Sequence, residues 1–521
     1  MRHFRKVFAL SACLTLLLSP AGPTAGTLAA ARLVKVRGYI TNVLSPTSFE
    51  IDDYRVTREE SLALDFENES PEARRGPEAL RVGAEVEVSG AYDEATGELK
   101  ADHIKVDLGQ FRSFKMAAVL SREPEGVELT PEGWRGYFFP DGHRVRVEPS
   151  TEVLFKPNDS EEKALKERAK AEASKKQKEA KVKDSKAAER DAAAKSAETA
   201  DEGDVDEEDA AGLQPLRTLK DVGVGMRMTY EGTEQPDGTV LARRVVFSRN
   251  EKEKGEAALW KWLKVKEKPS NFVEGKPGEL KIDLVGKFKL LPNEEVQAYV
   301  SDLGQRLVPD YQRRLPAEDP QKIPFKFYVV MKKDANAFAL ANGIVVVHSG
   351  LFEVLENEAQ LAAVLSHEIA HATQEHTWRQ MNKDKKKRMA LGMASIGLSL
   401  FGMGDFAFIL DTVKTTMESG YSRTLENQAD RVGLEYMVDA GYDPREAARV
   451  WTLMKKKYGD APVPFFWATH ENHLKRRSFI MLEIRNNYSN LDLASTRKGS
   501  EEEFKRLAGL AREASAKKKK A

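Results

Sequence analysis

Asn357-Glu358-Ala359-Gln360-Leu361-Ala362-Ala363-Val364-Leu365-Ser366-His367-Glu368-Ile369-Ala370-His371 is the most informative stretch of this 521-residue chain. Leu361, Val364, Leu365 and Ile369 recur at helical spacing, and Asn357 is placed to cap the helix. His367 and His371 then stand one turn apart on the same face, ~6 Å between their side-chain bases, with Glu368 beside them. That spacing lets two imidazoles grip one zinc ion while the carboxylate reaches the water the ion activates. The plainer alternative is a helix face with two incidental histidines, and a third ligand decides between them.

A third ligand in the metzincin manner would need Gly at 374 and His at 377, but these positions are Gln374 and Thr377, so that arrangement is excluded. Downstream lies Ser422-Arg423-Thr424-Leu425-Glu426-Asn427-Gln428-Ala429-Asp430-Arg431. Glu426 and Asp430 are again four apart, with Leu425, Ala429, Val432 and Tyr436 on a neighbouring apolar face. Gly441 predicts the end of this helix, and Asp443, Pro444 and Glu446 the cap and first turn of the next. Glu426 as third ligand and Asp430 as the acid behind a ligating imidazole complete a His-His-Glu set with an open fourth position. The competing reading is a surface ion pair on an ordinary helix.

Working outward, the N-terminal half carries a different pattern. Val34 to Ile40, Ser48 to Ile51 and Ala84 to Gly90 alternate as short half-buried strands. Val82 to Val88, a Thr96-Gly97 turn and Ile104 to Val106 are echoed by Val222 to Met228, an Asp237-Gly238 turn and Val245 to Phe247, with offsets of 140 and 141 residues. The two copies look like OB-like barrel modules of unassigned function. The second is interrupted by residues 158–212, which hold 12 Lys+Arg and 17 Asp+Glu and no aromatic residue. Such a segment cannot bury enough apolar surface to offset its ordering entropy. It is expected as an exposed loop, with no apolar heptad seam for a coiled coil. It also explains part of an overall excess of charge, 31% of residues, in a chain whose 82 Lys+Arg balance 82 Asp+Glu. Net neutrality and the lack of a basic, aromatic-interleaved face argue against nucleic acid as a partner.

At the N-terminus, Arg2, His3, Arg5 and Lys6 precede an apolar run from Val7 to Leu18 and a small-residue zone ending at Ala31, the layout of a secretory signal. The sole cysteine, Cys13, lies in a Leu10-Ser11-Ala12-Cys13 string that resembles a lipoprotein cleavage box, which leaves lipidation open beside simple removal. Export to the periplasm of a Gram-negative-type bacterium is the expectation. No uncharged apolar run in the mature chain reaches about 18 residues, so a multi-pass membrane protein is excluded. Met389 to Gly404 is apolar but short, and reads either as a covering helix pair or as a membrane-surface contact.

From Leu284 to Ser478 the chain resembles metallopeptidase family forty-eight, the HtpX- and BepA-like gluzincins. The resemblance rests on Leu290 to Val300, Asn336 to Leu340, Val345 to Leu351, the helix from Asn357 and the helix around Glu426. It implies a zinc endopeptidase with one zinc per chain on His367, His371 and Glu426, Glu368 as base and Asp430 as supporting acid. It also singles out Thr469-His470, with Arg476 six residues on. His470 is expected either to occupy the open metal position at rest or to stabilise the reaction intermediate, although Glu471 stands where the family has proline. His348, His376 and His473 are read as structural. Phe338 to Ala341 and Ile344 to His348 read as strands joined by Asn342-Gly343, and the family implies that the edge of this sheet pairs with an extended peptide.

The expected organisation is a signal at 1–31, all-β modules at 32–110 and 111–250, a mainly α (α+β) peptidase domain with a small sheet at 251–498, and a charged, frayed tail at 499–521. The expected substrates are unfolded or misassembled envelope proteins, with outer-membrane assembly partners in view. The runner-up is an exported chaperone or assembly scaffold with a latent metal site.

Overall fold

Alternation of inward apolar and outward polar residues, broken at bulges, builds the strands of the N-terminal part. The computed structural model describes residues 32–51, 53–66, 76–107, 113–158, 161, 163, 213–235, 238–249, 254–390, 410, 413, 420–459 and 473–516. The expected signal segment, Cys13, nearly all of 158–212, residues 391–404 of the apolar stretch, His470 and the last five residues lie outside these. In the first module run β1 (Arg32–Tyr39), β2 (Asn42–Ser45), β3 (Ser48–Ile51), β4 (Tyr54–Arg58), β5 (Leu64–Phe66), β6 (Glu85–Asp93) and β7 (Glu98–Asp107). Every second residue turns inward, so that Phe49, Ile51, Val56, Val86, Val88, Leu99, Ile104 and Val106 form one core. The strand order is β1-β6-β7-β4-β3-β2, with β5 also on β7.

The second module uses the same plan. Its strands are β8 (Ser113–Val119), β9 (Glu125–Thr130), β10 (Gly133–Phe138), β11 (Val145–Val147), β12 (Glu152–Lys156), β13 (Gln214–Pro215), β14 (Arg227–Glu234) and β15 (Val240–Ser248). Hairpin β14–β15 stands for β6–β7, β8 for β1, and the parallel pairs β11 and β12 on β15 repeat β4 and β5 on β7. Even the irregularity is copied, since the register shifts at Ser89/Gly90 in one hairpin and at Glu231/Gly232 in the other. A Cβ at Gly90 or Gly232 would meet the partner strand's carbonyl oxygen at 2.0 or 2.4 Å, so the bulge requires glycine in both copies. The charged insertion leaves from β12 and returns at β13, which pair antiparallel.

The rest of the protein is helical with two small sheets. After α1 (Lys254–Trp262) come β16 (Val265–Lys268), β17 (Glu279–Ile282) and β18 (Gly286–Lys289), an antiparallel sheet that the sequence reading did not anticipate. Its strands are only four residues long and mostly charged, so alternation is hard to see. Then follow α2 (Glu294–Leu307), α3 (Asp310–Arg314), β19 (Lys326–Val330), β20 (Ala337–Ala339), β21 (Ile344–His348), α4 (Glu358–Thr373), α5 (His376–Ala390), α6 (Arg423–Asp439), α7 (Arg445–Tyr458), α8 (His473–Tyr488) and α9 (Glu501–Ala516). The multidomain arrangement is as expected: mainly β at the N-terminus, then helices with small sheets.

Helix α4 runs through the middle of the main core, with Leu361, Val364, Leu365 and Ile369 buried on it. Its N-cap Asn357 accepts from Gln360 N–H at 2.9 Å. Helix α6 packs beside it, ends at Gly441 in the left-handed region (φ +82°) and is followed by Asp443, whose carboxylate accepts from Arg445 N–H at 3.0 Å. Residues 501–516 of the expected charged tail form a packed helix and not a frayed end. Phe504, Leu507, Ala508, Ala511 and Ala514 of α9 are buried at helical spacing in the main core, and Phe504 stacks near Phe352 at 6.0 Å. The high lysine content hid that stripe. No helix among the described residues is long and apolar enough to cross a membrane.

Both β-modules rest on the helices. Tyr39 N–H donates to Ser478 Oγ at 2.9 Å, Lys475 pairs with Glu85 at 2.7 Å, and Leu474 joins the first module's core. In the second module, Val119 exchanges two hydrogen bonds with the Gln374 side chain at 2.8 and 3.1 Å.

Candidate metal centre

One helical turn of α4 separates His367 from His371, and their Nε2 atoms converge to 3.0 Å. Glu426 on α6 completes the group: its carboxylate oxygens lie 3.4 Å from His367 Nε2 and 3.7 Å from His371 Nε2. The three candidate ligand atoms all lie within 4.8 Å of one another, and all three residues are buried. The helices come this close because Gly433 of α6 sits against the α4 backbone, where a Cβ would be 3.0 Å from His367 N. Two imidazole nitrogens and one carboxylate are a donor set suited to a first-row divalent ion.

Glu368 supports that fit. It is 1% exposed; Oε2 accepts from Ala339 N–H at 2.9 Å, and Oε1 has no hydrogen-bond partner among the described residues. Burial first, and the neighbouring Glu426 carboxylate after it, push the Glu368 carboxyl up to about 8. A buried carboxylate oxygen without a partner is costly. Beside an N,N,O donor set, it is the kind of atom that a bound ion's exchangeable ligand would satisfy.

Each histidine is held from behind. His367 Nδ1 lies 3.0 Å from Asp430 Oδ1. Burial opposes a charged ring here, but Asp430 and Glu426 outweigh it and push the His367 imidazole up to about 9. Arg476, itself buried, donates to Asp430 Oδ1 at 2.6 Å and to Glu426 Oε2 at 3.0 Å, with its guanidinium 4.3 Å above the Trp451 ring. His371 stacks on Tyr421 at 4.2 Å, and its Nδ1 is 2.8 Å from His376 Nδ1. Burial, with Arg379 nearby, pushes the His376 imidazole down to about 3, so that ring is neutral.

The sequence-predicted residues His367, Glu368, His371, Glu426 and Asp430 thus come together on α4 and α6. His470 lies outside the described residues, whereas Arg476, six positions on, is at the centre. His348 does not take part; its Nδ1 is 2.5 Å from Asp334 Oδ2. The sequence reading missed Tyr421 and the place of His376 against the His371 ring. The five-residue step from His371 to His376 falls across a turn, and helical spacing alone gives no warning of it. The nearby sheet has the order β19-β21-β20, so β20 is its edge, and Asn342-Gly343 makes the hairpin with Gly343 at φ +82°. The Ala339 N–H that reaches Glu368 belongs to this edge strand.

Comparison with known proteins points to the same part of the chain. Residues 294–482 match the model of peptidase family M48, and residues 37–105 match a domain of unknown function, DUF5666. Over 168 residues the chain is 33% identical to the beta-barrel assembly-enhancing protease of Escherichia coli strain K12, covering 31% of this chain and 33% of that protein. It is 33% identical over 153 residues to the protein of the same name from Yersinia pestis, covering 28% and 30%. The mitochondrial metalloendopeptidase OMA1 of Arabidopsis thaliana is 31% identical over 163 residues, covering 30% and 31%. The chain therefore spans about a third of the length of these curated relatives. Both the matched segment and the converging side chains lie in the helical part, and it is residues 294–482 that carry the likeness to peptidase family M48.

Proposed function

We propose that the protein is an exported zinc-dependent endopeptidase acting on unfolded or misassembled envelope proteins, with His367, His371 and Glu426 holding one zinc per chain. The observation that carries this reading is the convergence of those three side chains beside the Glu368 carboxylate. When bound, the metal would supply Lewis-acid chemistry, polarising a peptide carbonyl and making water acidic near neutral pH. Glu368 serves as general base: Ala339 N–H holds Oε2, which leaves Oε1 as the atom that takes the water's proton and returns it to the leaving nitrogen. Asp430 orients His367, and Arg476 keeps Asp430 ionised while donating to Glu426. His470 is proposed to act at the same centre.

The edge of β20 runs beside Glu368, and an extended segment pairing with it through the main chain would be read by shape more than by sequence. That suits unfolded substrates. The names of the relatives from Escherichia coli and Yersinia pestis support envelope assembly as the setting, and the signal-like N-terminus supports export to the periplasm.

Metal content of the purified chain by mass spectrometry and casein cleavage, for the parent and for Glu368→Gln, test the proposal. Zinc near one per chain in both proteins, with cleavage only in the parent, is expected. Equal cleavage by both would overturn the role of Glu368. A zinc-loaded parent that cleaves nothing would favour the scaffold reading instead.

A further inference from the structure

Asp141 is fully buried in the loop between β10 and β11 of the second module, yet its carboxylate faces the peptidase helices. Its Oδ2 accepts from Gln428 Nε2 of α6 at 2.6 Å and lies 3.5 Å from Arg431 Nη2. Its Oδ1 accepts from Tyr230 OH at 3.1 Å and is 3.0 Å from His143 Nδ1. Gln428 Nε2 also reaches the Ala117 carbonyl at 3.3 Å. A carboxylate and a carbonyl only accept, so this end of the side chain must be the amide NH2. Gln428 Oε1 then faces the Arg379 guanidinium and His376 Nε2, the latter at 2.9 Å. An amide oxygen only accepts, so His376 carries its proton on Nε2. A second proton on His376 would place a buried imidazolium beside Arg379. His376 Nδ1 therefore accepts, and His371 must donate from Nδ1 at 2.8 Å. The lone pair of His371 Nε2 is thereby turned toward His367 and Glu426.

The second module also fixes the turn that brings His376 back onto His371. Glu375, between α4 and α5, has φ +57°, a costly conformation for a residue with a Cβ. Arg227 of β14 donates to its carboxylate at 2.6 and 3.1 Å, while Val119 of β8 holds the preceding Gln374.

We propose that the second β-module is a working part of the metal centre: Asp141, through Gln428 and His376, sets the proton position on His371 and so the centre's affinity for its metal. Asp141 and Gln428 are positioning residues that touch no ligand atom themselves. The inference rests on His371 being a ligand, as in the proposed function. Such outer partners typically govern metal affinity by roughly 10–100-fold.

The test is zinc affinity of the full chain, by competition with a chromophoric chelator, together with the visible spectrum of the cobalt-substituted protein. Gln428→Met keeps side-chain volume and breaks the relay, and Asp141→Ala removes its far end. Asp141→Asn can still offer an amide oxygen to Gln428. Ser121→Ala removes a hydrogen bond to Glu435 in the same interface, outside the relay. We expect Gln428→Met and Asp141→Ala to bind zinc at least tenfold more weakly with an altered cobalt spectrum, Asp141→Asn to recover most of the affinity, and Ser121→Ala to match the parent. Should Asp141→Ala fail to fold, Gln428→Met decides. Parent-like affinity in Gln428→Met, or equal weakening by Ser121→Ala, would overturn the proposal. His371→Ala binding zinc as the parent does would instead remove the ligand assignment on which it stands.

Discussion

Arg476 and Asp430 form a buried charge-assisted hydrogen bond of 2.6 Å directly behind the His367 imidazole. The same guanidinium reaches Glu426 at 3.0 Å, so one cation balances two carboxylates that water cannot reach. Burial alone would raise the pKa of Asp430; the charges of Arg476 and His367 hold it below the usual carboxylate range.

Replacing Arg476 by Ala takes the guanidinium from both carboxylates and leaves them with the His367 imidazole nearby, and breaking a buried pair in this way costs about 3–5 kcal/mol. A fall of many degrees in the metal-free melting temperature by calorimetry is the expected result. Lys at the same place keeps the charge but not the planar fork that reaches two partners, so it should recover only part of the loss. A melting temperature within a degree of the parent for Arg476→Ala would show that the pair contributes little.

Metal removal should be read in stability as well as in activity. A ligand that binds only the folded protein adds about 2.7 kcal/mol at a hundredfold excess over its dissociation constant. Added zinc should therefore raise the melting temperature of the chelator-treated protein. His371→Ala and Glu426→Ala should abolish that rise, since each withdraws one of three converging donors. An undiminished rise in either variant would move the ion elsewhere.

How much of this was legible in the sequence depended on whether the signal was local. Asn357, His367, Glu368 and His371 share one helix, and Glu426 and Asp430 share another, so helical spacing alone placed each set on a face. The duplication was legible because turns and strands recur at a fixed offset, and the paired bulges at Gly90 and Gly232 now give it a physical reason. What could not be read was contact across the chain. Asp141 and Gln428 are 287 residues apart and carry no periodic pattern. The apolar stripe of α9, from Phe504 to Ala514, was masked by composition, because a lysine-ended segment looks solvated until its spacing is counted.

Gly433 offers a test of the helix approach itself. Alanine at an exposed helical position would add about 1 kcal/mol of helix propensity over glycine. Here the new Cβ would stand 3.0 and 3.1 Å from N and Cα of His367, both backbone atoms of a core helix that cannot swing aside. We expect Gly433→Ala to lower the melting temperature and to weaken zinc binding together, because separating α6 from α4 moves Glu426 away from the histidines. A stabilised variant with unchanged affinity would mean that the helices separate freely.

The contact between the second module and α6 should respond to pH through Glu435. This side chain is 1% exposed, accepts from Ser121 Oγ at 3.0 Å and lies 3.3 Å from Arg122 Nε, with Asp439 on the same helix and Tyr311 and Tyr488 nearby. Burial first, with Asp439 adding to it and Arg122 opposing, pushes the Glu435 carboxyl up to about 7, from 4.5 when unfolded. Between those values the folded protein holds a proton that the unfolded chain has released, so stability from this group is full below about pH 4.5 and is lost as pH rises to about 7. The raised pKa corresponds to a loss of about 3 kcal/mol at most. Glu435→Gln carries no titrating group, so its melting temperature should fall less than the parent's between pH 5 and 8, and calorimetry at a series of pH values would show the difference. Parallel curves for the two proteins would mean that Glu435 stays ionised throughout, with Arg122 alone offsetting its burial.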